Sequence, residues 1–376
     1  MKILHTIPSM GILSGGPALS TWLTVQGEQI LGVDSQILTF EVSSSNDTNI
    51  TIAPYIHFIP SPQGNKFKYS SKYRKELYNS DADLIHIQGV WQYPTLSSFI
   101  CAKKKHKPYI ITLRGMLYPQ AFEKSFLIKK IVYGLYLKTC LQYASCLHAT
   151  CMEEMEHLRN MGIHSPIAVI PNPIQIVNQE NSVVSHKKIR FGYLGRIYPR
   201  KRVERLLYVK KKLECLNFEL IIIGDKDPVY MQYLKDETNR LQLNDVIFTG
   251  FLTGEKKEEM LNSLSFLIVP SDFENFGNIV TEALVRRIPV IASKGTPWQE
   301  LNTFHCGWWV DNDVDTLVST VRLALDTPEE ERLAMGERGK QLIKSNYSIE
   351  IVANKMKRLY EWILYGGEKP EFVYTK

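Results

Sequence analysis

Short apolar runs recur along this chain, punctuated by Gly, Pro and Ser and separated by stretches with helical spacing. The opening run, Lys2 to Pro8, stops at Pro and Ser and then meets Gly15-Gly16-Pro17. It predicts a buried strand running into a glycine loop. Similar runs follow at Ser35 to Phe40, Ile56 to Ile59, Asp83 to Ile87, Tyr109 to Leu113, Cys146 to Thr150 and Ile167 to Ile170. Helical patterns lie between several of them, as in Ala18 to Leu31 and Phe126 to Tyr143. Strand and helix alternate, which predicts a parallel sheet covered on both faces.

The segment Ile174 to Lys188 is polar, rich in Asn and Ser and aperiodic, and reads as a linker. The alternation then restarts at Ile189 to Leu194, Phe218 to Gly224, Asp245 to Phe251, Ser265 to Pro270, Ile288 to Ser293 and Trp308 to Val310. Two helical patterns close the chain from Pro328, the last over Ile349 to Tyr365 with Val352, Met356, Leu359 and Tyr360 on its apolar stripe. The expected class is α/β, with two doubly wound Rossmann-like domains, 1–173 and 174–348, facing a central cleft. The helix at about 349–376 is expected to cross back onto the first domain. Ligands of such sheets bind beyond the carboxyl ends of the strands, so motifs there are the informative ones.

Composition narrows the class. A chain of 376 residues fits two domains, and 44% hydrophobic with 22% charged residues describes a packed protein, not a disordered one. No stretch approaches the ~18 uninterrupted apolar residues that span a bilayer. His5 and Pro8 interrupt any signal-peptide core, so a cytoplasmic or peripheral protein in a reducing compartment is expected. The net charge of +6 is gathered in patches, among them 103–107, 124–138, 200–202 and 210–212, each of which suits phosphate, lipid head groups or water. Cys140, Cys146 and Cys151, with His148 between the last two, cluster without the paired spacing of a zinc site, and the cysteines read as buried reduced thiols.

The stretch Ser271-Asp-Phe-Glu-Asn-Phe-Gly-Asn-Ile-Val-Thr-Glu282 follows one predicted strand and places Glu274 and Glu282 eight residues apart. Asn275 to Asn278 is expected to form the first turn of a helix, whose free N–H groups suit a phosphate, with Gly277 allowing close approach. One carboxylate then faces the reacting end of a ligand and the other grips hydroxyls further away. The alternative has Glu274 as a helix cap and Glu282 in solvent. Gly195-Arg196 ends another strand, with Lys201 after four residues; a forked guanidinium beside an ammonium suits a diphosphate, and the alternative is a basic turn in water. Gly15 and Gly16 open the first helix as a phosphate or sugar contact. No Gly-x-Gly-x-x-Gly fingerprint with a following acid is present, which disfavours a nicotinamide enzyme.

Taken in order, these motifs resemble the retaining GT-B glycosyltransferases of family 4 (glycosyl transferases group 1), in the style of bacterial surface-polysaccharide enzymes. The matching residues are Gly15-Gly16-Pro17, Asp83 to Trp91, Thr112 to Pro119 and Ile170 to Pro173 in the first domain. In the second they are Gly195-Arg196 with Lys201, Phe248 to Gly250, Glu274 with Glu282, Pro289-Val290 and Gly307 to Val310. The resemblance implies a nucleotide-sugar donor, a UDP- or GDP-sugar, and a saccharide or lipid-linked saccharide acceptor in capsule, O-antigen or exopolysaccharide synthesis. It implies that Arg196 and Lys201 bind the diphosphate, Glu282 the ribose and Glu274 the transferred sugar. The backbone of Asn275, Phe276, Gly277 and Asn278 completes the phosphate site, with the Gly15-Gly16 loop closing over it. No metal, other cofactor or nucleic acid is implied.

Three positions depart from the family pattern. Arg114 and Gln88 stand where His is frequent, and Arg287 stands where a Gly usually precedes the Pro-Val pair. Arg114 retains a grip on phosphate but not a proton shuttle, and Arg287 is expected at positive φ or in a changed turn. The helical pattern Lys124 to Lys138 mixes aliphatic, aromatic and basic residues, which suits either an anionic membrane surface or a core-facing helix with basic outer positions. Two alternatives to transfer remain: a non-catalytic nucleotide- or polysaccharide-binding assembly protein, and a nucleotide-sugar epimerase.

Overall fold

The computed structural model describes residues 1–42, 47–123, 125–176 and 188–375. The chain divides into two compact units, Met1–Gln175 with Ser348–Lys376, and Ile176–Tyr347. Most of the stretch expected to be a linker lies outside the described residues.

The first unit is built on strands β1 (Lys2–Thr6), β2 (Asp34–Phe40), β3 (Ile56–Ile59), β4 (Leu84–Gln88), β5 (Tyr109–Thr112), β6 (Cys146–Ala149) and β7 (Ile167–Val169). Its sheet order is β3-β2-β1-β4-β5-β6-β7, all parallel, extended by an antiparallel C-terminal strand, Val373–Tyr374, on β7. Every residue of β4, β5 and β6 is buried, as expected of strands covered on both faces. The order reverses between β1 and β4, so the loops after those two strands diverge and leave a crevice. The Gly15-Gly16 loop and Gln88 sit there.

The last helix, Ile349–Tyr365, packs on this unit. Ser348 caps it, accepting from the Ile351 N–H. Val352, Met356, Leu359 and Tyr360 enter a core with Ile3, Leu84 and Ile110. Close approach to the first helix, Gly16–Ile30, requires Gly27, where a Cβ would lie 2.7 Å from both Ala353 Cβ and Ile349 Cγ2.

The second unit carries β8 (Ile189–Leu194), β9 (Phe218–Ile223), β10 (Val246–Gly250), β11 (Phe266–Val269), β12 (Val290–Ser293) and β13 (Gly307–Val310). The order is β10-β9-β8-β11-β12-β13, all parallel, with its reversal between β8 and β11. Gly195-Arg196 follows β8, and the loop with Glu274 follows β11. Sequence spacing therefore predicted two strand ends that topology makes neighbours.

Two sequence expectations change. The helix after β11 is Asn278–Leu284, capped by Gly277 at φ 75°, so Asn275 to Gly277 form the turn before the helix and not its first turn. The segment after Ser125 is helical over Phe126–Val132 and Lys138–Gln142, joined by a π-helical turn at Tyr133–Leu137 around Gly134. Arg287 does take positive φ, 61°, and its carbonyl packs where a side chain on Gly336 would stand, 2.2 Å from the Cβ position.

Candidate active site

In the second unit the basic turn and the acidic loop lock together. Lys201 closes a short 3-10 turn, Pro199–Lys201, and its ammonium pairs with Glu274 Oε1, which also accepts from Ser271 Oγ at 2.9 Å. Both side chains are nearly enclosed, at 12% and 13% exposure, so the pair is only weakly screened. Asp272 completes the clamp, paired with Arg202 and with Arg205 at 3.0 Å. Burial alone would push the Asp272 carboxyl up, but Arg202, Arg205 and Asn312 together hold it below the usual carboxylate range. Neither alternative from the sequence holds for Glu274: it is not a helix cap, and the basic turn is not simply solvated.

The strand ends approach closely because two glycines meet. Gly195 and Gly224 stand at φ 144° and 143°, and a Cβ on Gly224 would lie 1.9 Å from the Gly195 carbonyl oxygen. This contact fixes the path of the loop carrying Arg196, whose own side chain is exposed. Phe276 is buried against Trp298 and Tyr347, and Trp298 Nε1 donates to the Phe276 carbonyl at 2.6 Å. The turn that presents Gly277 and Asn278 is thus held rigidly. Glu282 lies on the following helix, 15% exposed, with Lys257 Nζ 2.5 Å from its Oε2. Lys257 is a partner of this candidate residue that the sequence reading missed.

In the first unit, Gly15 stands at φ 70°, the N-cap of the helix that begins at Gly16. Arg114 stands at φ 53° beside Gly115 at 71°. Its guanidinium donates five hydrogen bonds: to Gln88 Oε1 from Nε at 3.3 Å and Nη2 at 2.9 Å, to Ser20 Oγ at 2.5 Å, to Asn172 Oδ1 at 2.9 Å and to Thr21 Oγ1 at 3.1 Å. A guanidinium has five N–H groups. The sequence expectation places Arg114 on a phosphate; in this structure all its donors face acceptors of its own unit. It straps the glycine-loop helix to the ends of β4 and β7. Burial brings Arg114 down to about 10, opposed by the charge of Glu154, so it remains a cation at neutral pH. Glu154, itself buried, accepts from the N–H groups of Gly115 and Thr150.

The remaining candidates fall elsewhere. Lys105 and Lys107 reach the Ser80 carbonyl, and Lys210 Nζ bonds the Phe218 carbonyl at 2.6 Å, so these patches serve local structure. The clustered cysteines are free thiols; burial pushes Cys140 and Cys146 up to about 12. Among the described residues no group of three or more His, Cys, Asp or Glu is placed to hold a metal ion.

This pair of parallel, Rossmann-like sheets, each with a reversal of strand order, defines a GT-B architecture. Residues 15–177 match Glycosyltransferase Family 4 and residues 175–342 match glycosyl transferases group 1. The chain belongs to this family and is a glycosyltransferase. It is 24% identical over 346 residues, 89% of this chain and 91% of the relative, to an uncharacterized glycosyltransferase of Methanocaldococcus jannaschii. It is 26% identical, over 49% of this chain and 51% of the relative, to a lipopolysaccharide 1,2-N-acetylglucosaminetransferase of Salmonella typhimurium. An Anabaena protein solved in complex with UDP-glucose shares the fold at a TM-score of 0.74 and 16% identity, covering 96% of this chain and 99% of that one.

Proposed function

We propose that this glycosyltransferase moves a hexose, with retention of configuration, from a UDP- or GDP-sugar to a saccharide or lipid-linked saccharide of a bacterial surface polysaccharide. The observation that carries this reading is the enclosed Lys201–Glu274 pair beside the exposed Arg196 at the β8–β11 switch point. Cleaving the sugar–phosphate bond builds negative charge on the diphosphate and positive charge on the sugar ring. Lys201 and Arg196 stabilise the first, with the N–H groups of Gly277 and Asn278. Glu274, released from Lys201 as the diphosphate takes the ammonium, accepts from hydroxyls of the transferred sugar, and Glu282 accepts from the ribose pair. The acceptor hydroxyl attacks the face from which the diphosphate leaves, and a phosphate oxygen receives its proton. The likeness to an Anabaena protein solved with UDP-glucose and to a lipopolysaccharide transferase supports this donor and acceptor class.

Thermal shift and calorimetry with UDP, GDP, ADP and dTDP test the donor. One nucleotide is expected to stabilise the chain by about 2.7 kcal/mol at a hundredfold excess over Kd. Arg196→Ala and Glu282→Ala are each expected to weaken its binding about tenfold or more. No binding by any nucleotide to folded protein would overturn the assignment in favour of a non-catalytic role.

The acceptor side carries a second expectation. On the helical stretch after Ser125, Leu127, Ile128, Ile131 and Leu135 are 72%, 65%, 59% and 76% exposed, so the core-facing alternative does not describe this face. Lys130 accompanies them, its Nζ 5.7 Å from the centre of the Phe126 ring. We assign this face to peripheral contact with an anionic membrane that carries the acceptor. Binding to phosphatidylglycerol-containing vesicles is expected to fall about tenfold or more in Leu127→Glu/Leu135→Glu. Unchanged sedimentation with vesicles would remove the membrane assignment.

A further inference from the structure

The helix Gly254–Asn262 carries the chain from the edge strand β10 to the central β11. Of its nine residues only Leu261 is fully buried, so apolar packing does little to decide where it docks. Charge decides it. Neighbouring Lys257 and Glu258 meet Glu282 and Arg286, which stand four positions apart on the helix Asn278–Leu284 and the turn that ends it. Lys257 Nζ lies 2.5 Å from Glu282 Oε2, and Glu258 receives a forked pair from Arg286, Nε to Oε2 at 2.8 Å and Nη2 to Oε1 at 2.7 Å. The two pairs have opposite polarity, so a slip of one residue along the helix would set like charges against each other.

A Glu and an Arg four positions apart on one helix ordinarily pair with each other. Here they do not. Both carboxylate oxygens of Glu258 fill the Arg286 fork, and the remaining arm, Nη1, donates to the main-chain carbonyl of Glu282 at 2.6 Å. The Glu282 carboxylate is thereby left to Lys257, which draws it toward the neighbouring helix. Its Oε2 accepts from Lys257, while Oε1 has no donor among the described residues and the side chain is not sealed from solvent. A carboxylate offers about four lone-pair sites, so this one keeps room for a pair of hydroxyls.

We propose that Lys257 and Glu258 are positioning residues for ribose recognition: Lys257 holds the Glu282 carboxylate toward the nucleotide, and Glu258 occupies the Arg286 guanidinium that would otherwise take it. The inference rests on the reading that Glu282 accepts from the ribose. It makes the chain selective for a ribonucleotide over the 2′-deoxy form, because a fixed carboxylate gains from the 2′-hydroxyl a bond that the deoxy form lacks.

Lys257→Met removes a positive charge and Glu258→Gln a negative one, so a bulk effect of charge on the diphosphate would move nucleotide affinity in opposite directions. Positioning instead lowers the same ratio in both. Calorimetry on the full chain compares UDP with 2′-deoxy-UDP and GDP with 2′-deoxy-GDP. In the pair that binds, the wild-type chain is expected to prefer the ribonucleotide about tenfold or more. That preference is expected to fall to about threefold or less in Lys257→Met and in Glu258→Gln, to vanish in Glu282→Ala, and to survive in Lys257→Arg, which keeps a charged donor. Lys257 and Glu258 both touch solvent, at 27% and 37% exposure, so both variants are expected to fold. A wild-type preference persisting in Lys257→Met or Glu258→Gln while Glu282→Ala loses it would overturn the positioning role and leave the ribose contact standing. No preference in the wild-type chain, or one that survives in Glu282→Ala, would overturn the ribose reading itself.

Discussion

Lys201→Ala is expected to lower sugar transfer by about a hundredfold to a thousandfold, far more than a stability loss of about 3 kcal/mol explains in a chain that stays folded. The reason lies in when the ammonium is needed. In the protein alone Lys201 neutralises the nearly enclosed Glu274, and its removal leaves that carboxylate without its cation, at a cost of about 3 kcal/mol. In the proposed mechanism the same ammonium faces, with Arg196, the charge that develops on the leaving diphosphate. Glu274→Ala is expected to reduce turnover with little change in nucleotide affinity, because its proposed partner in the reaction is the sugar. The check is nucleotide release with and without membrane-extracted acceptor, paired with calorimetry for the nucleotide alone. Turnover within threefold of wild type in Lys201→Ala would sink the assignment.

The second large effect is structural. Arg114→Lys keeps the charge but offers three donors where Gln88, Ser20, Thr21 and Asn172 receive five bonds. At least two buried acceptor sites lose their partners, for a cost of about 3 kcal/mol. Because the bonds join the first helix to the ends of β4 and β7, the loss is local to that corner. Amide exchange at Gly115 and in the first turns of Gly16–Ile30 is expected to accelerate about a hundredfold, with the second unit unaffected. Uniform acceleration, or none, would show that the strap does not hold these elements.

Arg114 also marks the boundary of what sequence reading reached. Its departure from the family pattern was visible, but the partners its guanidinium takes in the fold were not. Five bonds to residues 26 to 94 positions away saturate it, and no local pattern records such pairings. The histidines at 5 and 86 were legible as polar interruptions of apolar strands. Glu28, on the buried face of the first helix, had no comparable signal.

The sequence by itself determined the alternation of strands and helices, the restart that makes two units, the stripe that docks the last helix, and the Glu274 and Glu282 spacing. Each is a local record, because burial on a strand or helix face repeats with the period of the backbone. Tertiary structure alone decided that Lys201, 73 residues from Glu274, is its partner, that the site helix starts at Asn278, and that Glu28 meets Tyr360 across 332 residues. Those pairings depend on which strands neighbour one another at the reversals of sheet order, and strand order leaves no period in the chain.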